Sequence, residues 1–537
     1  MAHKILQQRT HGFAFFIGIL FLCQAQAQQR DEFAAVDAYA LGILRSDASS
    51  MGQLATSLAS GARNDREKAR VIYRWITKNI SYDTHAFFSG NFGDMSPDNV
   101  LKSMKGVCDG YAELFQALAQ SMGLESQKII GNSKGYGYVV GSRIDGPANH
   151  AWNAVKVYGE WRLVDCTWGA GYIDADKKFV SRFNNFYFLT PPDQFVYDHF
   201  PDDPDKQFLS RAVSKETYEN YVNVQPTFWR CALNLLSHRE GIIRASKRLD
   251  VVINAPDDAM LMMQLLRNGE PMESNLTYVY RTRSDATLTA VFPERGSYVF
   301  RLFAKRRSDP GSQYDKALDY QVIVSEPLSN PVSFPVLFDA FVPYGLSLKS
   351  NAERNTRVDR NVSIDLASTV DLAMIASLER DGMKLADGST FVQSEEGNHR
   401  VQAVFSQPGK FVLTVYAKRP SESGNYNAVL SYSFTSSTSN DPSACFPVEY
   451  EQYRQWNAHL YSPFEGCLDA NKPHLFRISV PAAEAVAVVN NGHWTALKSN
   501  NGLFAESVVM SPGKAEVFVK GSGSKQYIGL LRYEIVP

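Results

Sequence analysis

Charge of one sign is what this sequence most lacks. Its 55 Lys and Arg stand against 56 Asp and Glu, for a formal net charge of −1 across 537 residues. With no long basic run either, nucleic acid is excluded as an expected partner. Long apolar runs are also missing after residue 27, so no stable membrane span is expected in the mature chain. Histidine is sparse and scattered in the C-terminal half. His238, His399, His459, His474 and His493 show no metal-ligand spacing, and neither a metal nor a cofactor is expected. Asp202-Asp203-Pro204-Asp205 reads as a solvated loop rather than a calcium site.

What is present describes a folded, multidomain protein. Hydrophobic residues make up 44% and aromatics 12%, and the length implies roughly three to five domains. His3, Lys4 and Arg9 give a basic lead, Gly12 to Cys23 an apolar core, and Ala25-Gln26-Ala27 a small-residue cleavage site. Residues 1–27 therefore read as a signal peptide, with an uncleaved anchor as the rival, and a secreted or periplasmic location is expected. Leu22 is too large for lipidation at Cys23. Cleavage leaves Cys108, Cys166, Cys231, Cys445 and Cys467. An odd number leaves at least one thiol unpaired, and Cys445 with Cys467 is the favoured disulfide.

Residues 28–63 read as a polar helical leader, with Ala34, Ala35, Leu41 and Leu44 as its weak apolar face. Asn64 and Glu67 form a capping signal for a helix faced by Ala69, Ile72, Ile76 and Ile80. Ser96-Pro97-Asp98 starts a shorter helix that Gly106 is expected to break. Cys108 then opens an amphipathic helix marked by Leu114, Phe115, Leu118 and Met122, with Gly123 as its stop. The N–H groups and the positive dipole end at a helix start favour a thiolate, the nucleophilic form of cysteine. A glycine- and tyrosine-rich loop over residues 131–146 is either a wall of a substrate site or a surface connection.

Two alternating runs, Asn149 to Val157 and Glu160 to Asp165, flank Tyr158-Gly159 and predict a hairpin. A two-residue turn sets Val157 opposite Glu160 and Trp152 opposite Asp165. His150 then becomes a diagonal neighbour of Asp165, roughly 7–8 Å away between Cβ atoms and within side-chain reach. A nucleophilic cysteine needs a base, and the base needs an orienting acceptor. Cys108, His150 and Asp165 supply these parts in chain order.

Gly106-Val107-Cys108-Asp109-Gly110-Tyr111-Ala112, His150-Ala151-Trp152-Asn153, and Asp165 with Thr167-Trp168-Gly169-Ala170-Gly171 closely resemble the transglutaminase-like superfamily, nearest its kyphoscoliosis-peptidase branch. Asn185 to Pro191, leading to His199 and Pro201, resembles the same branch. The resemblance spans about residues 64–215. It implies a papain-like α+β fold with Cys108 as nucleophile, His150 as general base and Asp165 as orienting acid. Many members carry proline or a small residue where Cys166 stands. Cys166 is read as a buried structural residue, with a redox lock on Cys108 as the alternative. The Cys108 backbone N–H is the expected oxyanion donor. Trp75 and Tyr82 are nearby in sequence but read as core.

After Pro226 strand patterns dominate and repeat. Gly296, Gly409 and Gly513 each open an alternating strand. Each is followed by a strand carrying Leu-x-Tyr-x-apolar, around Tyr320, Tyr432 and Tyr533. The period of roughly a hundred residues fits immunoglobulin-like sandwiches. The expected layout is a transglutaminase-like domain over 64–225, then all-β sandwiches over 226–328, 329–440 and 441–537. The expected activity is acyl transfer from a protein or peptide amide, as a peptidase or hydrolase, with protein cross-linking as the alternative. An inert transglutaminase-like scaffold, with the sandwiches binding a protein partner, is the non-enzymatic rival.

Overall fold

The computed structural model describes residues 32–44, 50–281, 284–329, 332–349, 352–438, 440–441 and 443–537. The expected signal peptide lies outside them. Among the described residues no helix is long and apolar enough to cross a membrane. The chain divides into two compact units, one ending at Arg230 and the other starting at Cys231.

Among its described residues the first unit starts with three helices, α1 (Ala34–Gly42), α2 (Met51–Ala59) and α3 (Asp65–Asn79). The buried stripe of the leader is Phe33, Val36, Ala40 and Ile43, whereas Ala34, Ala35, Leu41 and Leu44 are exposed. This corrects the expected face: with so few large apolar side chains, the position of Phe33 sets the phase. Asn64 caps α3, its side chain accepting from the Glu67 N–H. The helix buries Ala69, Val71, Ile72, Tyr73, Trp75 and Ile76 in one cluster with the leader stripe. Each large side chain there contributes about 1.5–3 kcal/mol. Fully buried Arg70 joins α3 to α1 through paired contacts to Asp37, at 2.6 and 2.7 Å.

Next come β1 (Ser81–Tyr82), α4 (Thr84–Ser89), α5 (Pro97–Ser103), β2 (Lys105–Gly106) and α6 (Cys108–Ser121). Ser96 occupies the cap position of α5 but makes no side-chain cap. Gly106 does not end this helix. Met104 does, in a left-handed conformation (φ 56°) that returns its N–H to the Val100 carbonyl. Lys105 and Gly106 are thereby free to pair in parallel with Ser81 and Tyr82.

The strands that follow are β3 (Ser126–Ser133), β4 (His150–Val157), β5 (Glu160–Val164), β6 (Gly171–Ile173), β7 (Phe179–Ser181), β8 (Phe188–Thr190) and β9 (His199–Pro201). Helix α7 (Cys166–Ala170) lies between β5 and β6. Five of the strands form an antiparallel sheet in the order β8-β5-β4-β3-β9. The β4–β5 turn has both central residues left-handed, Tyr158 at φ 51° and Gly159 at φ 84°. That twist suits a two-residue hairpin and sets Val157 opposite Glu160 and Asn153 opposite Val164. Gly131 sits where β9 closes on β3. An added Cβ there would lie 2.3 Å from the Phe200 carbonyl oxygen and 2.8 Å from the Trp152 ring.

The second unit holds three two-sheet sandwiches among its described residues, each built the same way. The long hairpins are Gly296–Arg306 with Asp315–Val324, Gly409–Lys418 with Asn427–Ser436, and Gly513–Gly521 with Ile528–Val536. Each opens on a glycine at positive φ (134°, 147° and 134°), a region that favours glycine. Each also shifts register at an equivalent point, at Leu302/Phe303, Val415/Tyr416 and Val517/Phe518. The last strand of every sandwich pairs in parallel with a short early one: Ile242–Ala245, Arg357–Val358 and Cys467–Asp469. The repeated tyrosines are buried and reach back to an early carbonyl. Tyr320 donates to His238 (2.6 Å), Tyr432 to Ala352 (2.9 Å) and Tyr533 to Pro463 (3.0 Å). In the third sandwich Cys445 and Cys467 are thiols whose sulfurs lie 3.0 Å apart.

Candidate active site

Cys108 is the first residue of α6 and is half-buried. Three contacts fix the backbone around it: the Ser81 N–H donates to the Met104 carbonyl, the Asp83 N–H to the Gly106 carbonyl, and the Tyr111 hydroxyl to the Ile80 carbonyl at 2.6 Å. Lys128 of β3 steadies the outer face of the helix through Asp109 (2.8 Å) and Glu113 (2.5 Å).

His150 is the first residue of β4 and is buried. Its Nε2 lies 2.8 Å from Asp165 Oδ2, which leaves Nδ1 as the ring nitrogen for Cys108. Burial opposes charge on this ring. The Asp165 carboxylate and its hydrogen bond outweigh that, joined by hydrogen bonding and charge from Cys108, and hold His150 up at about 10. The imidazolium therefore persists through neutral pH. The ring is flanked by Trp168 at 5.4 Å and Trp152 at 5.9 Å between centroids.

Asp165 does not continue the β4–β5 ladder. Its N–H turns to the Tyr187 carbonyl, and its side chain becomes the cap of α7. Oδ1 accepts from the Thr167 N–H (2.7 Å) and the Trp168 N–H (3.1 Å), leaving Oδ2 for the histidine side. The residue is fully buried. Burial would raise its proton affinity, but His150 and then His199 hold the carboxyl well below the usual carboxylate range.

The site thus brings together Cys108, His150 and Asp165, 42 and 15 residues apart along the chain. Cys166 points elsewhere: it belongs to the buried core with Val164 and Ala170, and burial, then the Asp165 charge, pushes its thiol well up. Trp75 is fully buried in that same core. Tyr82 is half-buried. Burial and then the nearby Cys108 raise its phenol. The glycine- and tyrosine-rich loop reaches the site: a Cβ on Gly135 would lie 3.0 Å from the Trp168 ring. Tyr136 beside it contacts Phe87 and Phe88 of α4 edge-on, at 6.4 and 5.5 Å.

No role for His199 is legible in the sequence, although the segment leading to it carries the family resemblance. The structure places His199 Nε2 3.1 Å from Asp165 Oδ2, on the oxygen that already serves His150. His150, Asp165 and His199 offer ligand atoms within 4.8 Å of one another, but these atoms meet in mutual hydrogen bonds.

Residues 52–166, a span that contains Cys108, His150 and Asp165, match the family model of the transglutaminase-like superfamily. The first unit carries a transglutaminase-like domain. The match begins inside α2 and ends one residue past Asp165, so His199 lies beyond it. Residues 215–335 and 328–447 each match the KY-like, immunoglobulin-like domain. The chain is 27% identical to the kyphoscoliosis peptidase of Homo sapiens over 522 residues, covering 94% of this chain and 77% of that protein. It is also 27% identical to the kyphoscoliosis peptidase of Mus musculus, covering 91% and 75%. Hillarin of Drosophila melanogaster is 32% identical over 225 residues, or 40% of this chain and 27% of that protein. Immunoglobulin-like domains thus follow a transglutaminase-like domain in this chain.

Proposed function

We propose that the transglutaminase-like domain is a cysteine-dependent acyl-transfer enzyme acting on protein or peptide amides. One observation carries the reading: a buried histidine, held by Asp165 at 2.8 Å, faces a cysteine at a helix start whose charge helps to raise the proton affinity of the ring. In this reaction Cys108 Sγ attacks the amide carbonyl carbon, and the carbonyl electrons move onto oxygen, facing the Cys108 backbone N–H. As the carbonyl re-forms, the C–N bond breaks and His150 gives its proton to the leaving amine. The product is a thioester on Cys108. Water or an amine, losing a proton to His150, then attacks the thioester and releases the thiol.

Hydrolysis is the favoured outcome, because relatives matched over most of the chain are named peptidases. The sandwiches are assigned to binding a protein partner. A location outside the cytoplasm is part of the proposal, supported by the basic lead and apolar run of residues 1–27. The test offers a glutamine peptide with a fluorescent amine and follows both amine incorporation and release of ammonia or peptide. Release that disappears in Cys108→Ala supports the hydrolase. Incorporation without hydrolysis replaces it with cross-linking. Identical traces for wild type and Cys108→Ala, with wild-type Cys108 no more reactive toward iodoacetamide than an unfolded thiol, leave the scaffold reading.

A further inference from the structure

Asp165 Oδ2 has two histidines on it, His150 Nε2 at 2.8 Å and His199 Nε2 at 3.1 Å. The other nitrogen of His199, Nδ1, lies 2.6 Å from Asp198 Oδ1, and Asp198 Oδ2 accepts the Tyr187 hydroxyl at 3.1 Å. The His199 side chain is completely buried. It stacks on Phe195 with centroids 4.0 Å apart and meets Trp168 at 4.5 Å. A carboxylate offers only lone pairs, so a ring nitrogen facing one makes a hydrogen bond only when it carries a proton. Both nitrogens of His199 face carboxylates. Such a ring bridges the two side chains, one nitrogen to each. The other titratable neighbours do not replace it. The His150 ring is 5.3 Å away, and Lys134, which burial lowers to about 7 against the pull of the Asp198 charge, sends its Nζ to the Tyr221 carbonyl at 3.0 Å.

We propose that His199 is a positioning residue for the acyl-transfer site, a buried ring braced by Asp198 that holds Asp165 Oδ2 in line with His150. The proposal rests on the reading of Cys108, His150 and Asp165 as the reacting set. His199 never touches the substrate. It removes the freedom of Asp165 to rotate away from His150. Without it Asp165 Oδ2 keeps only His150, and Asp198 Oδ1 loses its ring partner.

The experiment uses the full chain, reduced, and measures the rate of Cys108 alkylation by iodoacetamide from pH 5 to 10, by mass spectrometry of the Cys108 peptide. In His199→Gln, the side-chain N–H still reaches Asp165, but its oxygen meets the Asp198 carboxylate. Alkylation at pH 7 is expected to slow by about tenfold, with the profile displaced. Adding Asp198→Asn supplies an N–H to that oxygen, and the double variant is expected to regain most of the loss. A ring that only fills space predicts no such rescue by a restored hydrogen bond. A wild-type profile in His199→Gln, or a double variant no faster than the single one, overturns the proposal. Should His199→Gln fail to fold, Tyr187→Phe carries the test. It removes only the hydroxyl on Asp198, and about threefold slowing is expected, whereas an unchanged profile overturns the proposal. Failure of the underlying reading looks different: wild-type Cys108 would alkylate no faster than in the unfolded chain, and the role of His199 would fall with it.

Discussion

Asn153 donates its side-chain amide to the backbone carbonyl of Ala112 at 3.0 Å, inside the protein and away from water. The strand that begins at His150 is thereby pinned to the helix that begins at Cys108. Asn153 is completely buried, three residues after the histidine, and Ala112 is four after the cysteine. The contact sets the base against the nucleophile without touching either. Asn153→Ala is expected to lower stability by about 1–3 kcal/mol, the usual cost of orphaning a buried polar group. It should also slow Cys108 alkylation. Urea denaturation and the alkylation rate check the two effects separately.

Asp165 has two tasks that two substitutions separate. Asp165→Asn keeps an oxygen for the Thr167 and Trp168 N–H groups and so keeps the α7 cap, but it loses the negative charge facing His150. Acyl transfer is expected to fall by on the order of 100- to 10,000-fold, as when the orienting acid of a triad is neutralised, with the fold retained. Asp165→Ala should lose the same activity and a further ~1 kcal/mol from the missing cap. Parallel thermal melts and activity assays distinguish them.

The His150–Asp165 pair also sets a pH dependence of stability. A histidine held up at about 10 contributes fully below its unfolded value of ~6.5, and loses that contribution as pH climbs through about 10. A carboxyl held low contributes above ~3.9 and loses its share as pH falls toward its folded value. The difference in urea midpoint between wild type and His150→Gln should therefore be widest between about pH 4 and 6.5. It should shrink steadily above 6.5 and vanish above about 10. A difference that widens from pH 7 to 10 would contradict the pairing.

Tyr320, Tyr432 and Tyr533 give a prediction in triplicate. Each Tyr→Phe change removes one hydroxyl bond to a backbone carbonyl and leaves the ring in its core. A cost of about 0.5–1.5 kcal/mol is expected for each, and near-additive costs when they are combined, because the sites lie in separate sandwiches. Calorimetry of the single and triple variants reads both quantities.

The parts of the site that were legible in the sequence are the ones set by local rules. The helix start at Cys108 follows from the spacing of Leu114, Phe115 and Leu118. The hairpin register follows from a turn whose two residues accept positive φ. The three sandwiches were legible because their glycine-led hairpins repeat. The parts that were not legible depend on tertiary choice. Alanines and leucines in residues 34–44 allow more than one helical face, and only the seat of Phe33 against Phe188, at 5.4 Å, decides between them. Met104 bears a left-handed conformation that a reader assigns to the next glycine. Asp198 and His199 come to Asp165 because β9 crosses beside β3 at Gly131, a meeting of segments that no spacing along the chain announces.

The parallel pairing of an early strand with the last strand, repeated in all three sandwiches, has a mechanical consequence. Tension along the chain pulls the early strand toward its own start and the last strand toward its own end. Because the two run the same way, those pulls are opposed along a shared axis. The rungs joining Ile242–Ala245 to Gln321–Val324 are therefore loaded together in shear rather than peeled one at a time. The same holds for Arg357–Val358 and for Cys467–Asp469. Each sandwich is thus a link that resists stretching, and the three stand in series.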